Sequence, residues 1–380
     1  MLPRSAKSAL GAATAALAIF LAGDAHVSAT VAGPGWSTPE LALLRDAVAR
    51  AGDDALPVPD SSALDKAMWS GHLDQIKAAA DELALRFAAL QLLGAAPVGE
   101  RADWHIVDTD RTDDLPARLT QALTEDKLSD FLSAQRPAQP DYAALRAAYA
   151  QELDSARRLA IARNMERWRW LPRDLGQDYV FANAASFEVS LWRGGERRKS
   201  WRAISGKTAT PTPSISAMAT AINFNPWWEV PPSIAVGRGR GFQFTNGRFR
   251  QPPGPGNSLG RMKVIMYNPY AIYLHDTPSR GLFGAADRAF SHGCMRVDDA
   301  IGFAATLLEG SRSRTQIDRL LEKPDQTAVV PLAKPIRVYV AYFTVTAKPD
   351  GTLAFAKDIY KRDAPILAVS KLPGPVLAAR

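Results

Sequence analysis

The chain has 380 residues, enough for two or three domains and a large buried core. Hydrophobic residues make up 47% and charged ones 22%, close to globular averages, which argues against wholesale disorder, collagen-like and coiled-coil classes. The 46 basic and 39 acidic side chains leave a formal charge of +7, a weak bias towards anionic surroundings without a nucleic-acid stripe.

Residues 1–29 read as a secretory signal. Arg4 and Lys7 form a basic start, Ala9 to Leu21 is a small-apolar run, and Val27-Ser28-Ala29 supplies small residues for cleavage. Asp24 and His26 blur that cleavage site, so a retained membrane anchor is the alternative; either way the body is expected to be exported. Beyond this segment no apolar run approaches the roughly 20 residues a spanning helix needs, and the mature chain is expected to be soluble.

From Pro39 to about Trp170 the pattern is helical. Leu41, Leu44 and Val48 make one apolar stripe, and Leu64, Met68, Leu73 and Ile76 begin another. One helix is predicted from Leu115 to Leu132, and Tyr142, Leu145, Tyr149 and Leu153 predict another that continues towards Trp168. After Leu171-Pro172 the period changes to two: Phe187, Val189 and Leu191, a Gly194-Gly195 turn, then Trp201 and Ala203 predict a hairpin. Met262 to Met266 and Ala271 to Leu274 are strand candidates separated by Asn268-Pro269. Asp298 to Leu308 reads as a helix and Ile336 to Val345 as a late strand. Asn225 to Gly260 is rich in Pro, Gly, Trp and Arg, with Gly237 to Gly241 alternating Gly and Arg; it reads as an ordered lid without regular elements, the alternative being a flexible linker. The predicted fold class is α+β: a helical scaffold over 30–172, a β-rich catalytic domain of mixed sheets over 173–346 with the lid at 225–260, and a C-terminal extension over 347–380.

The chemistry concentrates at Ser291-His292-Gly293-Cys294-Met295-Arg296, with Tyr273-Leu274-His275-Asp276 upstream. Cys294 is the only cysteine, so no intramolecular disulfide forms, and two of only five histidines lie close to it in sequence. A free thiol of pKa about 8.5 is mostly protonated at neutral pH, so a nucleophilic cysteine needs an imidazole or another positive group beside it. Gly293 permits a tight turn in which N–H groups converge on a developing oxyanion, and Arg296 offers a fork suited to a carboxylate. Zinc ligation by His275, His292 and Cys294 has no further ligand in sight to complete four, and a buried inert cysteine is the plain structural alternative.

Ser291-His292-Gly293-Cys294 with Arg296, and His275 nineteen positions before the cysteine, resembles the signature of the L,D-transpeptidases that remodel bacterial peptidoglycan. Arg163 to Pro172, Phe224 to Ile234, Arg250 to Gly260, and Asp358 to Tyr360 with Asp363 resemble the large periplasmic branch of that family. The resemblance implies that Cys294 attacks a donor stem-peptide carbonyl, that His275 receives the thiol proton and that the Asp276 carbonyl orients a ring. It further implies that His292 and Gly293 shape the oxyanion pocket with the Cys294 N–H, that Arg296 meets a substrate carboxylate, and that Tyr267 or Tyr273 lines the groove. Ser291 reads as a turn hydrogen-bonder, and it is counted with Arg296, Asp276 and Tyr273 among the candidate substrate-binding residues. The implied partners are donor and acceptor stem peptides and carbapenem-type inhibitors, with no cofactor, no metal, no nucleic acid and no obligate protein partner, in the periplasm.

The sequence departs from that branch in two places. Tyr149 to Asn164 runs through without room for a peptidoglycan-binding insert, and the stretch Ile234 to Phe249 is short for a lid. The family default is a 3-3 cross-link; the altered lid and missing insert make a 1-3 link from L-Ala to diaminopimelate an alternative. A stem-peptide carboxypeptidase or hydrolase, and a non-catalytic wall-binding scaffold, are the rival readings.

Overall fold

The order of elements follows from where the chain can cap its helices and pair its strands. The computed structural model describes residues 35–107, 109–231, 242–348, 350–366 and 369; the predicted signal and the Gly237–Gly241 run lie outside the described residues. Helix α1 (Thr38–Ala49) starts at a capping box in which Ser37 and Glu40 satisfy each other's backbone N–H groups, with Pro39 in its first turn. Helices α2 (Ser62–Ser70) and α3 (Leu73–Leu93) follow. The apolar stripe expected across both is interrupted by Gly71 at φ +72°, which leaves Leu73 exposed on the first turn of α3.

The chain next makes the two-residue strand β1 (Trp104–His105), unforeseen in the helical half. The single helix expected over 115–132 is two helices, α4 (Leu115–Thr124) and α5 (Leu128–Ser133). Asp126 turns left-handed at φ +56° and Lys127 N–H closes on the Ala122 carbonyl at 2.7 Å, which ends the first helix. The helix expected to run past Leu153 also breaks, into α6 (Pro140–Gln151) and α7 (Ser155–Arg169). Asp154 is the reason: its carboxylate accepts from Arg157 N–H at 2.8 Å and starts a new helix. Only residues 152–154 join the two.

Beyond α7 come β2 (Tyr179–Asn183), β3 (Glu188–Arg193), β4 (Glu196–Gly206) and β5 (Ser214–Phe224). The predicted hairpin is β3–β4; β2 and β5 escaped the sequence reading. The 225–260 segment, expected to be irregular, holds β6 (Trp228–Glu229), β7 (Gln243–Thr245) and β8 (Arg248–Gln251), paired in the order β6-β8-β7. Then follow β9 (Met262–Met266), β10 (Leu274–His275), β11 (Ala289–Ser291) and β12 (Met295–Val297). The strand expected over 271–274 is reduced because the Asn268 side chain binds the backbone of Met266, Tyr270 and Ile272 in place of a ladder, and Ala271 sits at φ +53°. Helix α8 (Ala300–Leu307) is capped by Asp299, α9 (Arg314–Leu321) by Ser313. Strand β13 (Ala328–Ala341) begins earlier and ends earlier than expected, absorbing Pro331 and Pro335 at a register shift; β14 (Val345–Ala347) and β15 (Leu353–Phe355) form a separate pair.

The main sheet runs β1-β5-β13-β2-β3-β4-β12-β10-β9, and β9 also pairs with β5, so the sheet closes on itself. Its interior is filled by residues such as Val180, Leu191, Ile222, Phe224, Val264, Leu274, Met295 and Val338, with Phe303 of α8 packed beneath. A second core joins helices to sheet: Tyr142, Trp168 and Trp170 pack with Tyr179, Trp192, Tyr339 and Phe343. The α+β class, with a helical N-terminal part against a β-rich catalytic part, is as the sequence indicates. No helix among the described residues is long and apolar enough to cross a membrane.

Candidate active site

Three short strands set the site. β10 runs parallel to β12 with His275 opposite Arg296, and antiparallel to β9 with His275 opposite Lys263. Side chains on a strand alternate faces. Met262, Val264 and Met266, Leu274, and Met295 and Val297 all enter the barrel core. The same period turns Lys263, Tyr273 with His275, and Cys294 with Arg296 to the opposite face. One face of one sheet therefore carries a thiol, an imidazole, a phenol and two cations.

Cys294 is held at the mouth of β12 by the turn that precedes it. The Ser291 hydroxyl donates to the Cys294 carbonyl at 2.6 Å and accepts from Gly293 N–H at 3.0 Å. Gly293 adopts φ +113°, and a Cβ there would come within 3.1 Å of Ile272 Cδ1, so this turn requires glycine. Cys294 is partly exposed, with Sγ 3.7 Å from the Ala271 carbonyl. His292 is exposed at the turn.

His275 is 5% exposed, and its Nδ1–H donates to the Asp276 carbonyl at 2.5 Å. That tautomer leaves Nε2 without a proton. Burial, followed by the positive charge of Arg296, pushes the imidazole down to about 3; the Asp276 carbonyl opposes this and Lys263 adds to it. Burial pushes the Cys294 thiol up, while the Tyr273 N–H and the charges of Lys263 and Arg296 pull it down. Burial thus disfavours the charged form of both the thiol and the imidazole. The standing positive charges that act on both groups are Lys263 and Arg296.

Burial lowers the Arg296 pKa, and its buried Nε has no hydrogen-bond partner among the described residues. A desolvated guanidinium fork without a carboxylate is suited to receive one from outside. Lys263 is half-buried, its Nζ 3.5 Å from the centroid of the Tyr273 ring, a cation–π contact that fixes both side chains on the shared face. Tyr267 is 92% exposed at the end of β9.

Two residues named with the substrate face lie behind it. Asp276 is 1% exposed; its carboxylate accepts from Arg261 N–H at 2.7 Å and Thr277 N–H at 2.6 Å and pairs with Arg280. It positions the His275 ring and the Gly260–Arg261 backbone and does not reach a groove. Ser291 is also 1% exposed, its hydroxyl consumed by the turn. Sequence reading missed Lys263. The signal was a lone lysine in the apolar run Met262 to Met266, at a spacing that shares a face with neither methionine.

Residues 177–317 match the family model of the L,D-transpeptidase catalytic domain, and residues 32–148 that of a scaffold domain. A putative L,D-transpeptidase of Haemophilus influenzae is 27% identical over 241 residues, covering 54% of this chain; the chain spans about half the length of that curated relative, 48%. Among solved structures, an L,D-transpeptidase from Mycobacterium smegmatis is 18% identical over 43% of this chain and 58% of its own, with a TM-score of 0.26. L,D-transpeptidase 3 from Mycobacterium tuberculosis, in complex with a faropenem-derived adduct, is 14% identical over 43% and 60%, with a TM-score of 0.26. The face carrying Lys263, Tyr273, His275, Cys294 and Arg296 falls within the matched catalytic segment. The chain thus carries, over residues 177–317, a match to the L,D-transpeptidase catalytic domain.

Proposed function

We propose that the protein is a periplasmic peptidoglycan L,D-transpeptidase that joins stem peptides through a Cys294 thioester. What carries the reading is the shared face on which the only cysteine lies with a neutral buried His275 and an Arg296 whose buried Nε has no hydrogen-bond partner among the described residues. The donor carbonyl meets Cys294 Sγ; the thiol proton passes to His275 Nε2 as the C–S bond forms, and the carbonyl oxygen becomes an oxyanion facing the Cys294 N–H. Collapse breaks the amide C–N bond. The leaving D-amino acid takes the proton from His275, and Arg296 pairs with a donor carboxylate.

In the second half the amine of a neighbouring stem peptide attacks the thioester and gives its proton to His275, and the thiolate leaves and takes that proton. One amide replaces another, so no external energy source is needed. A 3-3 cross-link is the family default, and a 1-3 link is the alternative that the altered lid allows. Carbapenems are expected to acylate the same sulfur. The 1–29 segment would deliver the protein to the periplasm.

The test is purified protein incubated with defined muropeptides and read by product mass. Cross-linked dimers that vanish in Cys294→Ala support the reading. Shortened monomers alone would favour a carboxypeptidase, and dimers from Cys294→Ala would remove the sulfur from the mechanism.

A further inference from the structure

The Thr212 hydroxyl is fully buried and bonded on both sides. It donates to the Gly293 carbonyl at 2.7 Å and accepts from Gly206 N–H at 2.8 Å. The Gly293 carbonyl and the Cys294 N–H belong to one peptide group. No cis bond occurs among the described residues, and in a trans peptide these two groups point in opposite directions. A bond that pins the carbonyl therefore aims the N–H. Glycine at φ +113° does little to fix that plane by its own sterics, so the plane depends on a restraint from elsewhere.

Thr212 is in turn held from behind. Its N–H donates to the Tyr360 hydroxyl at 3.3 Å, and its carbonyl accepts from Arg362 Nη1 at 2.9 Å. Tyr360 also bonds the Ser205 hydroxyl at 3.1 Å. Arg362 pairs with Asp103 at 2.6 Å, and its carbonyl accepts from Arg167 of α7 at 2.9 Å. The segment after β15 thus braces the back of the turn that presents the sulfur.

We propose that Thr212 is a positioning residue for acyl transfer, its hydroxyl holding the Gly293–Cys294 peptide so that the Cys294 N–H faces the forming oxyanion. It touches neither substrate nor sulfur. The inference rests on the acyl-enzyme reading above, and two reagents separate the failure of one from the failure of the other. A carbapenem acylates through a tetrahedral oxyanion; iodoacetamide alkylates the sulfur by displacement of iodide and forms none.

In the full chain, Thr212→Val keeps the shape and removes the hydroxyl. Carbapenem acylation, followed by loss of β-lactam absorbance, is expected to fall about 10- to 100-fold, since the donor is misaimed rather than deleted. Iodoacetamide alkylation is expected to stay within about threefold of wild type, because only the oxyanion step uses the aimed N–H. Thr212→Ser, which restores the hydroxyl, is expected to recover acylation. Thr212→Ala, which removes the hydroxyl without new bulk, repeats the test should the valine variant fail to fold. Wild-type acylation in a folded variant lacking the hydroxyl overturns the proposal, as does an equal fall in both reactions that serine does not rescue. A wild-type protein that reacts with iodoacetamide and never with a carbapenem overturns the acyl-enzyme reading, and this proposal with it.

Discussion

His275 and Arg296 are register partners across the parallel β10–β12 pair, so a neutral imidazole and a guanidinium stand side by side on the face that carries Cys294. The base stays neutral partly because of that cation, and no carboxylate among the described residues bonds the buried Arg296 Nε. The pairing lets one residue keep the base ready and offer a fork to an incoming anion.

The first consequence concerns pH and stability. The His275 pKa is lowered from an unfolded value of about 6.5 to about 3 in the fold. Between those values the unfolded chain binds a proton that the folded chain does not. Stability from this group is therefore present above about pH 6.5 and is lost as pH falls towards 3, at up to about 1.4 kcal/mol per unit. Urea unfolding at pH 7 and pH 5 should show a smaller loss in His275→Gln than in wild type. Parallel losses in the two proteins would mean that the ring is not held neutral.

Lys263 faces the sulfur with a charge that pulls the thiol down against its burial. In Lys263→Met the midpoint of the pH profile for iodoacetamide alkylation should move further up, with acylation near neutral pH reduced. Lys263→Arg should retain most of the wild-type profile. Identical profiles for methionine and wild type would show that the ammonium does not act on Cys294.

Gly293 tests the turn. Alanine at φ +113°, with a Cβ 3.1 Å from Ile272 Cδ1, should cost about 1–3 kcal/mol and lower acylation. Shortening the neighbour in an Ile272→Val background should relieve little, because the strain is in the backbone. Unchanged melting of Gly293→Ala would contradict the turn as described.

Arg296 should separate function from stability. Its buried Nε has no hydrogen-bond partner among the described residues, so Arg296→Met removes a desolvated charge without unpairing an acceptor there. Its melting temperature should hold or rise while KM for a carboxylate-bearing donor increases about tenfold or more. A fall in melting temperature with an unchanged KM would make Arg296 a structural cation.

Much of this was legible in the residues because the motif is local. Cys294, Gly293 and Arg296 stand within four positions, and the hairpin and the helix after Asp299 carry short-range signals in alternation and capping. What escaped depends on distance along the chain. Asp126 and Asp154 broke helices whose apolar spacing ran on past them. Ser291 and Asp276 were assigned to the substrate face because sequence shows proximity to Cys294 and not depth; burial puts them behind it. Lys263 reaches the site only through the β9–β10 register, and Thr212 only through a bond to a residue 81 positions away.

The most direct measurement is the intact mass of the full chain mixed with a tetrapeptide donor and quenched within one turnover. A covalent tripeptide acyl on Cys294 is the predicted species, present in wild type, absent in Cys294→Ala and consumed when an acceptor stem peptide is added. Cross-linked product accumulating with no acyl on the sulfur, or formed equally by Cys294→Ala, would contradict the account.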